Sequence, residues 1–145
     1  MSTLEEAIVI AAQAHAGAKD KAGAPYILHP LRVMLKTESP TERIVAVLHD
    51  VVEDSYWTIE ALRERGFSEE VLEAVDCLTH RPEESYEDFV LRTAANPIAL
   101  KVKMADLEDN LEQSRIKHPT EQDKARVVKY EQALKHLKRV LKTRL

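Results

Sequence analysis

The stretch that decides the fold is LHDVVED, residues 48–54, which follows the apolar run Val45-Ala46-Val47. It places a His-Asp pair and a Glu-Asp pair one helical turn apart within an otherwise apolar segment. The apolar residues before it indicate that this turn faces the interior. Because an unpaired buried charge is costly, these polar groups need compensation, and a metal ion is the simplest candidate.

Composition limits the class of protein. The chain has 145 residues, 44% hydrophobic and 32% charged, so we expect residues 1–145 to form one domain. The net charge of −4 argues against a nucleic-acid partner, which needs a basic surface. The single cysteine, Cys77, excludes an internal disulfide and a cysteine-based zinc site. No signal peptide or membrane-spanning apolar run is visible, so we expect a cytoplasmic protein with no membrane partner.

The hydrophobic periodicity is helical, and no segment alternates like a strand. Ser39-Pro40-Thr41-Glu42 is a capping signal for the helix that carries residues 48–54, while Thr58 and Ser68 cap two more helices. Pro30 is placed as the first residue of a short helix. The sequence therefore predicts an all-α domain of seven or eight helices. They cover residues 3–16, 30–37, 40–54, 59–65, 69–79, 86–94, 98–114 and 120–142.

Separate segments supply a mixed set of candidate metal ligands. They are His29 at a loop-to-helix junction, His49 and Asp50 on one helix, and Asp106 on a later helix. Two imidazoles and two carboxylates suit Mn²⁺, Fe²⁺, Zn²⁺, Co²⁺ or Ni²⁺ better than Ca²⁺, which prefers oxygen alone. Adjacent helical residues point ~100° apart, so His49 and Asp50 both bind an ion only if it lies against that flank.

Three further polar residues extend this candidate site at helical spacing. Glu53 and Asp54 each lie four residues after one of the two ligands on their helix, so they project from the same side. There they are placed to orient or deprotonate a water molecule that a metal ion activates. Asn110, four residues after Asp106, is expected to reach the same cavity from the opposite wall.

The remaining histidines and the last helix have simpler interpretations. A His-Asp dipeptide alone is usually a solvated pair, and only its combination with the other motifs favours a metal site. His15, on the apolar face of the first helix, is interpreted as a hydrogen-bonded structural residue. His80, His118 and His136 are interpreted as solvated. The helix over 120–142 either completes the core or pairs with another subunit, which leaves a homodimer open.

Four motifs carry a resemblance to a known family. They are Ala14-His15-x-Gly17, Gly23-x-Pro25-Tyr26-Ile27-x-His29-Pro30, Leu48-His49-Asp50-Val51-Val52-Glu53-Asp54 and Lys103-x-Ala105-Asp106-x-x-x-Asn110. In this order, over roughly residues 4–115, they resemble the hydrolase domain of RelA/SpoT-type enzymes, which degrade the alarmone (p)ppGpp. The resemblance identifies the chain as a small, stand-alone HD-domain protein with an HD-domain helical bundle.

The resemblance implies roles for individual residues. Mn²⁺, or another divalent transition metal, would be held by His29, His49, Asp50 and Asp106. Glu53 and Asp54 would be the catalytic carboxylates, and Asn110 would contact the sugar or phosphate of the nucleotide. The implied reaction is that of a guanosine 3′,5′-bis(diphosphate) 3′-pyrophosphohydrolase, in which basic residues hold the remaining phosphates. Candidates for that role are Lys19, Lys21, Arg32 and Lys103, and we expect Lys21, Arg32 and Tyr26 to contact the substrate.

One loop departs from the family pattern. RelA/SpoT hydrolases usually read Gly-Gln-x-Arg-Lys-x-Gly, with the arginine packed on guanine, whereas residues 17–23 here read GAKDKAG. Asp20 offers no cationic plane for stacking and would repel phosphate. Two alternatives therefore stay open: an HD phosphohydrolase acting on another nucleotide or phosphate ester, and a non-catalytic module that senses a nucleotide. Since the chain lacks the synthetase and regulatory domains of long family members, we expect at most a hydrolase.

Overall fold

The described part of the chain is helical. The computed structural model describes residues 2–113 and 118–144. These residues form nine α-helices: α1 Leu4–Ala14, α2 Leu28–Leu35, α3 Pro40–Leu48, α4 Val51–Asp54, α5 Ile59–Glu64, α6 Glu69–Cys77, α7 Tyr86–Thr93, α8 Pro97–Gln113 and α9 Glu121–Arg144. The only extended pairing among them is an isolated bridge between Lys19 and Pro25. The all-α class is confirmed, and the predicted end of a helix at Ser114 lies outside the described residues.

Several helices begin at the positions that their capping residues predicted. The side chains of Ser39, Thr58 and Ser68 each accept a hydrogen bond from the backbone N–H three residues later, at 3.1, 3.0 and 3.3 Å. These bonds satisfy N–H groups that have no partner within the helix. The helix predicted from Pro30 begins two residues earlier, at Leu28. Proline is tolerated at its third position because N–H groups of the first turn need no intrahelical partner.

The helix predicted over residues 40–54 is divided in two at His49 and Asp50. Helix α3 ends at Leu48 and α4 begins at Val51. The backbone N–H of His49 turns to the carbonyl of Ala46, and Nδ1 of its imidazole donates to the same oxygen at 2.6 Å. This break accounts for the ninth helix. It also lets two adjacent side chains reach one place, since His49 Nε2 lies 3.1 Å from Asp50 Oδ2.

Two hydrophobic clusters position the site. The larger one gathers residues of α1 to α6 and α8, and the smaller one gathers residues of α7, α8 and α9. Helix α8 belongs to both, because Ala105 packs in the larger cluster and Leu107 in the smaller one. Asp106 lies between them and is buried. No helix in the described ranges has both the length and the apolar character needed to cross a membrane.

Truncating a side chain in the smaller cluster should destabilise the protein. Leu137 on α9 is fully buried, so Leu137→Ala should lower the free energy of unfolding by about 2–5 kcal/mol. The control is Val128→Ala, at a residue 53% exposed on the same helix, which should change it by less than about 0.5 kcal/mol. Urea unfolding measures both, and equal effects would contradict the described packing of α9.

Candidate metal centre

Four ionisable side chains meet where α2, α8 and the α3–α4 junction come together. Asp106 Oδ1 lies 2.8 Å from His29 Nε2 and 3.4 Å from His49 Nε2. Asp50 Oδ2 lies 3.1 Å from His49 Nε2 and 3.9 Å from His29 Nε2. One ligand atom from each of His29, His49 and Asp50 lies within 4.8 Å of the others. The structure thus brings together the side chains that the sequence proposed as ligands.

One nitrogen in this cluster has no hydrogen-bond partner. His49 is buried, and its Nδ1 donates to the carbonyl of Ala46, so in the neutral ring Nε2 carries a lone pair. That Nε2 faces two carboxylates yet makes no hydrogen bond of acceptable geometry. A buried polar atom without a partner is costly, and a cation would remove that cost. The donor set of two imidazoles and two carboxylates therefore fits a divalent cation.

A second carboxylate orients His29. Nδ1 of His29 donates to Asp109 Oδ2 at 2.7 Å, which leaves Nε2 to face the cluster. Asp109 is fully buried and also accepts two hydrogen bonds from Arg32, from Nε at 2.7 Å and from Nη2 at 3.1 Å. Metal-binding histidines commonly use such a carboxylate to fix the ring. Arg32 lines the cleft as expected, but its guanidinium is bound to Asp109.

Asp109 is not among the residues predicted from the sequence. Its only signal is a position three residues after Asp106, which places the two on one face of α8. It stands in the polar run Glu108-Asp109-Asn110, which is typical of a solvated face. Asn110 lines the cleft as expected, and its Nδ2 donates to Asp106 Oδ1 at 3.3 Å.

Tyr26 and His15 support Asp50 from the other side. The hydroxyl of Tyr26 donates to Asp50 Oδ2, and the His15 ring packs on Tyr26 with centroids 4.9 Å apart. His15 is buried as expected, but its Nε2 has no hydrogen-bond partner, so the proposed hydrogen-bonded role is not seen at that atom. Burial lowers the pKa of His15 and keeps the ring neutral.

The carboxylates of the cluster raise the pKa of both imidazoles. Burial opposes a charge on His29, but its hydrogen bonds to Asp106 and Asp109 outweigh that effect and raise its pKa to about 8. Burial likewise opposes a charge on His49, yet Asp50 and Asp106 raise its pKa well above the ordinary value. Burial would raise the pKa of Asp50, but His49 lowers it to about 2. At His29, a protonated ring therefore pairs with Asp106 where a cation would bind.

Lys103 completes the charge balance. Its Nζ donates to Asp106 Oδ2 at 3.0 Å and lies 4.9 Å from the centroid of the Phe89 ring. Burial opposes the charge on Lys103, but Asp106 raises its pKa above the ordinary value. This lysine lines the cleft, though its charge is already paired with the carboxylate of Asp106.

Three members of the cluster, His29, Asp50 and Asp106, line a cleft of about 480 Å³, and His49 is buried behind them. Glu53 lines the cleft, and its Oε1 accepts a hydrogen bond from the backbone N–H of His80 at 2.8 Å. Asp54 is exposed and is not among the described residues that line the cleft. Loss of hydration and the carboxylates of Asp50 and Glu53 raise the pKa of Asp54 to about 6. The other lining residues include Lys19, Asp20, Lys21, Tyr26, Tyr86, Phe89, Gln113, Asp123, Arg126 and Tyr130.

His80 differs from its sequence-based interpretation, and Asp20 has a role in its loop that the sequence did not indicate. His80 is exposed, but it is more than a solvated residue, because its Nε2 donates to the carbonyl of Glu84 at 2.7 Å. Asp20 accepts hydrogen bonds at Oδ1 from the N–H groups of Ala22 and Ala24, both at 2.9 Å. That carboxylate therefore shapes its own loop. Lys21 lies at the rim, with Nζ 3.8 Å from Asp123 Oδ1 on α9.

Comparisons with known proteins point to one group of enzymes. The chain is 36% identical over 120 residues to the guanosine-3′,5′-bis(diphosphate) 3′-pyrophosphohydrolase of Aquifex aeolicus, covering 74% of this chain and 17% of that protein. It is 33% identical over 135 residues to a probable GTP pyrophosphokinase of Mycobacterium leprae, covering 84% of this chain and 17% of that protein. No protein-family model matches.

A solved structure has the same fold. It is described as a metazoan ortholog of SpoT that hydrolyses ppGpp, and it matches with a TM-score of 0.76 at 22% identity over 94% of this chain and 85% of that one. The chain is related to the (p)ppGpp hydrolase domain of the RelA/SpoT family. It spans about a sixth of the length of the curated relatives described above, each of which it covers to 17%.

Removing the carboxylate behind His29 should weaken cation binding. In Asp109→Asn, the side chain can no longer hold His29 Nδ1–H with a charged acceptor, so the affinity for Mn²⁺ should fall about 10- to 100-fold. Titration calorimetry on metal-free protein measures this. Glu73→Gln, at an exposed carboxylate of α6, is the control and should leave the affinity unchanged. Equal affinities in both variants would argue against a cation at His29.

Cation binding should also depend on pH. Because the pKa of His29 is raised to about 8, this ring is mostly protonated at pH 7 and must release its proton to bind a cation. The apparent affinity should therefore fall as the pH drops below 8, by about tenfold per pH unit for each proton displaced. Calorimetry at pH 7 in buffers of different ionisation enthalpy counts the protons. A count of zero would contradict the described pairing.

Proposed function

We propose that the chain is a metal-dependent phosphohydrolase of HD-domain type that removes pyrophosphate from the 3′ position of guanosine 3′,5′-bis(diphosphate), with Mn²⁺ as its cation. The observation that carries this proposal is the unpartnered, buried Nε2 of His49, which faces Asp50 and Asp106, two carboxylates that line a cleft. Relatives named for 3′-pyrophosphohydrolase activity, from Aquifex aeolicus and Vibrio cholerae, support it.

The chemistry follows from the residues around the cluster. A divalent cation held by His29, His49, Asp50 and Asp106 would activate water and offset the charge that develops on the phosphate. Glu53 lines the cleft and is the candidate to accept the proton of the attacking water. Its hydrogen bond from the His80 amide limits the orientations of its carboxylate. Asp54, predicted as a second catalytic carboxylate, does not line the cleft, and its pKa, raised to about 6, makes it a candidate for proton exchange with solvent.

Cations at the rim are the candidates for the phosphates that do not react. The side chain of Lys21 is 57% exposed, and its contact with Asp123 is long, at 3.8 Å. Such a pair is weak, so the ammonium can move to a substrate at little cost in free energy. Tyr26 is bound to Asp50 of the cluster, and Arg32 is bound to Asp109, the carboxylate that orients His29. These bonds favour a positioning role for both beside the expected substrate contact. Asn110 remains a candidate for the sugar or phosphate.

A second candidate function keeps the chemistry but changes the substrate. Asp20 stands where a guanine-stacking arginine is expected, and its carboxylate is used within the loop. This favours an HD phosphohydrolase for another nucleotide or phosphate ester. A nucleotide-sensing module without turnover remains the third candidate. A single domain, a cytoplasmic location, a possible homodimer and the absence of nucleic-acid or membrane partners stay predictions.

A substrate panel tests the proposal. Mn²⁺-loaded protein is incubated with ppGpp, ordinary and deoxynucleoside triphosphates and simple phosphate esters, and phosphate and pyrophosphate are measured. The expected products from ppGpp are GDP and pyrophosphate, identified by chromatography. Exclusive cleavage of other compounds would establish the second candidate, and binding of ppGpp without turnover would establish the sensor.

Substitutions at Glu53 test whether this carboxylate acts in turnover, as the enzyme proposal requires. Glu53→Gln keeps an oxygen for the His80 amide but cannot act as a base, so kcat should fall about 10²- to 10⁴-fold with nucleotide affinity nearly unchanged. Glu53→Ala, which also removes the hydrogen bond, should lose at least as much. Glu73→Gln serves as the control for charge alone. Full turnover in Glu53→Gln would exclude Glu53 as the base.

A further inference from the structure

One arginine outside the cleft fastens the loop between α6 and α7. Arg92 on α7 donates from Nη1 to the carbonyl of Cys77 at 3.0 Å and from Nη2 to the carbonyl of Thr79 at 2.9 Å. Its Nε and Nη2 also donate to the two carboxylate oxygens of Glu84, at 2.7 and 2.9 Å. Arg92 therefore ties the end of α6 to the far side of the loop.

The ion pair between Arg92 and Glu84 is largely shielded from solvent. The side chain of Glu84 is only 12% exposed and that of Arg92 28%, so solvent screens this pair less than a surface pair. Hydrogen bonds from Arg92 lower the pKa of Glu84 to about 2, which keeps the carboxylate ionised at neutral pH. The planar guanidinium serves three acceptor groups at once, which a lysine ammonium at the same place cannot reproduce.

The same loop holds the proposed catalytic carboxylate. The amide of His80 donates to Glu53 Oε1, and the imidazole of His80 donates to the carbonyl of Glu84. The His80 ring packs on Phe89 with centroids 5.0 Å apart. The position of the His80 amide is thus set by Glu84, and Glu84 is set by Arg92.

We propose that Arg92 is a positioning residue for Glu53, acting through Glu84 and the His80 amide. The inference rests on the proposed function, in which Glu53 accepts the proton of the attacking water. If the loop shifts, Glu53 loses its only described hydrogen bond and samples orientations that point away from the cleft. A misplacement of about 1 Å in a reacting group can cost about 10²-fold in rate.

Kinetics of Arg92→Lys distinguish positioning from simple stabilisation. We expect kcat to fall about ten- to hundredfold. The KM and the Mn²⁺ affinity should stay within about twofold, because Arg92 does not line the cleft and makes no described hydrogen bond to a proposed metal ligand. Arg63→Lys is the matched control, since Arg63 binds Glu69 across the α5–α6 junction and makes no described hydrogen bond to Glu53 or His80. It should leave kcat unchanged. A lower melting temperature in Arg92→Lys with unchanged kcat would overturn the inference.

Two further measurements test the route through Glu53. In a Glu53→Gln background, Arg92→Lys should reduce residual kcat by less than about twofold, because the two residues act on one step. A further loss of kcat as large as that in the unmodified background, about ten- to hundredfold, would overturn the inference. Exchange of the His80 amide proton, followed by NMR, should be faster in Arg92→Lys than in Arg63→Lys. Unchanged exchange would also overturn it. Absence of turnover in the unmodified protein would instead overturn the proposed function, and amide exchange would still decide whether Arg92 fixes His80.

Discussion

The buried contact of Asp106 with two imidazoles constrains the rest of the molecule. Its Oδ1 lies between His29 Nε2 and His49 Nε2, while its Oδ2 accepts from Lys103. None of these charges can be removed from water unless its partners are in place, so α2, α8 and the α3–α4 junction have to meet with their polar faces aligned. Around them the two hydrophobic clusters supply the stabilising burial, and α8, which belongs to both, holds the carboxylate between them.

Local signals predicted the helices well but not the division of one of them. Ser39, Thr58 and Ser68 cap helices as expected, because a short polar side chain satisfies a free N–H without help from distant residues. The break after Leu48 has no such local signal in the sequence. Val51 and Val52 continue the apolar pattern, and the turn depends on His49 bonding to Ala46 and on Asp50 reaching residues of other helices.

The site was predictable where its residues stand out against an apolar background. His29, His49, Asp50 and Asp106 do so, and the structure brings them together. Asp109 stands in a polar run, so its burial could not be seen in the sequence, and the partners of Arg92 are set by tertiary packing rather than by a local motif. Arg32 and Tyr26 were found, but the carboxylates that occupy them could be identified only in three dimensions.

The loop that departs most from its relatives' pattern is stiffened by its own aspartate. Asp20 closes a tight turn over Ala22 and Ala24, and the backbone bridge between Lys19 and Pro25 ties the two arms together. A binding loop that is ordered before its ligand arrives loses little conformational entropy on association. This loop at the cleft is therefore preorganised. Its shape and its charges, rather than a rearrangement on binding, would then determine which ligand fits.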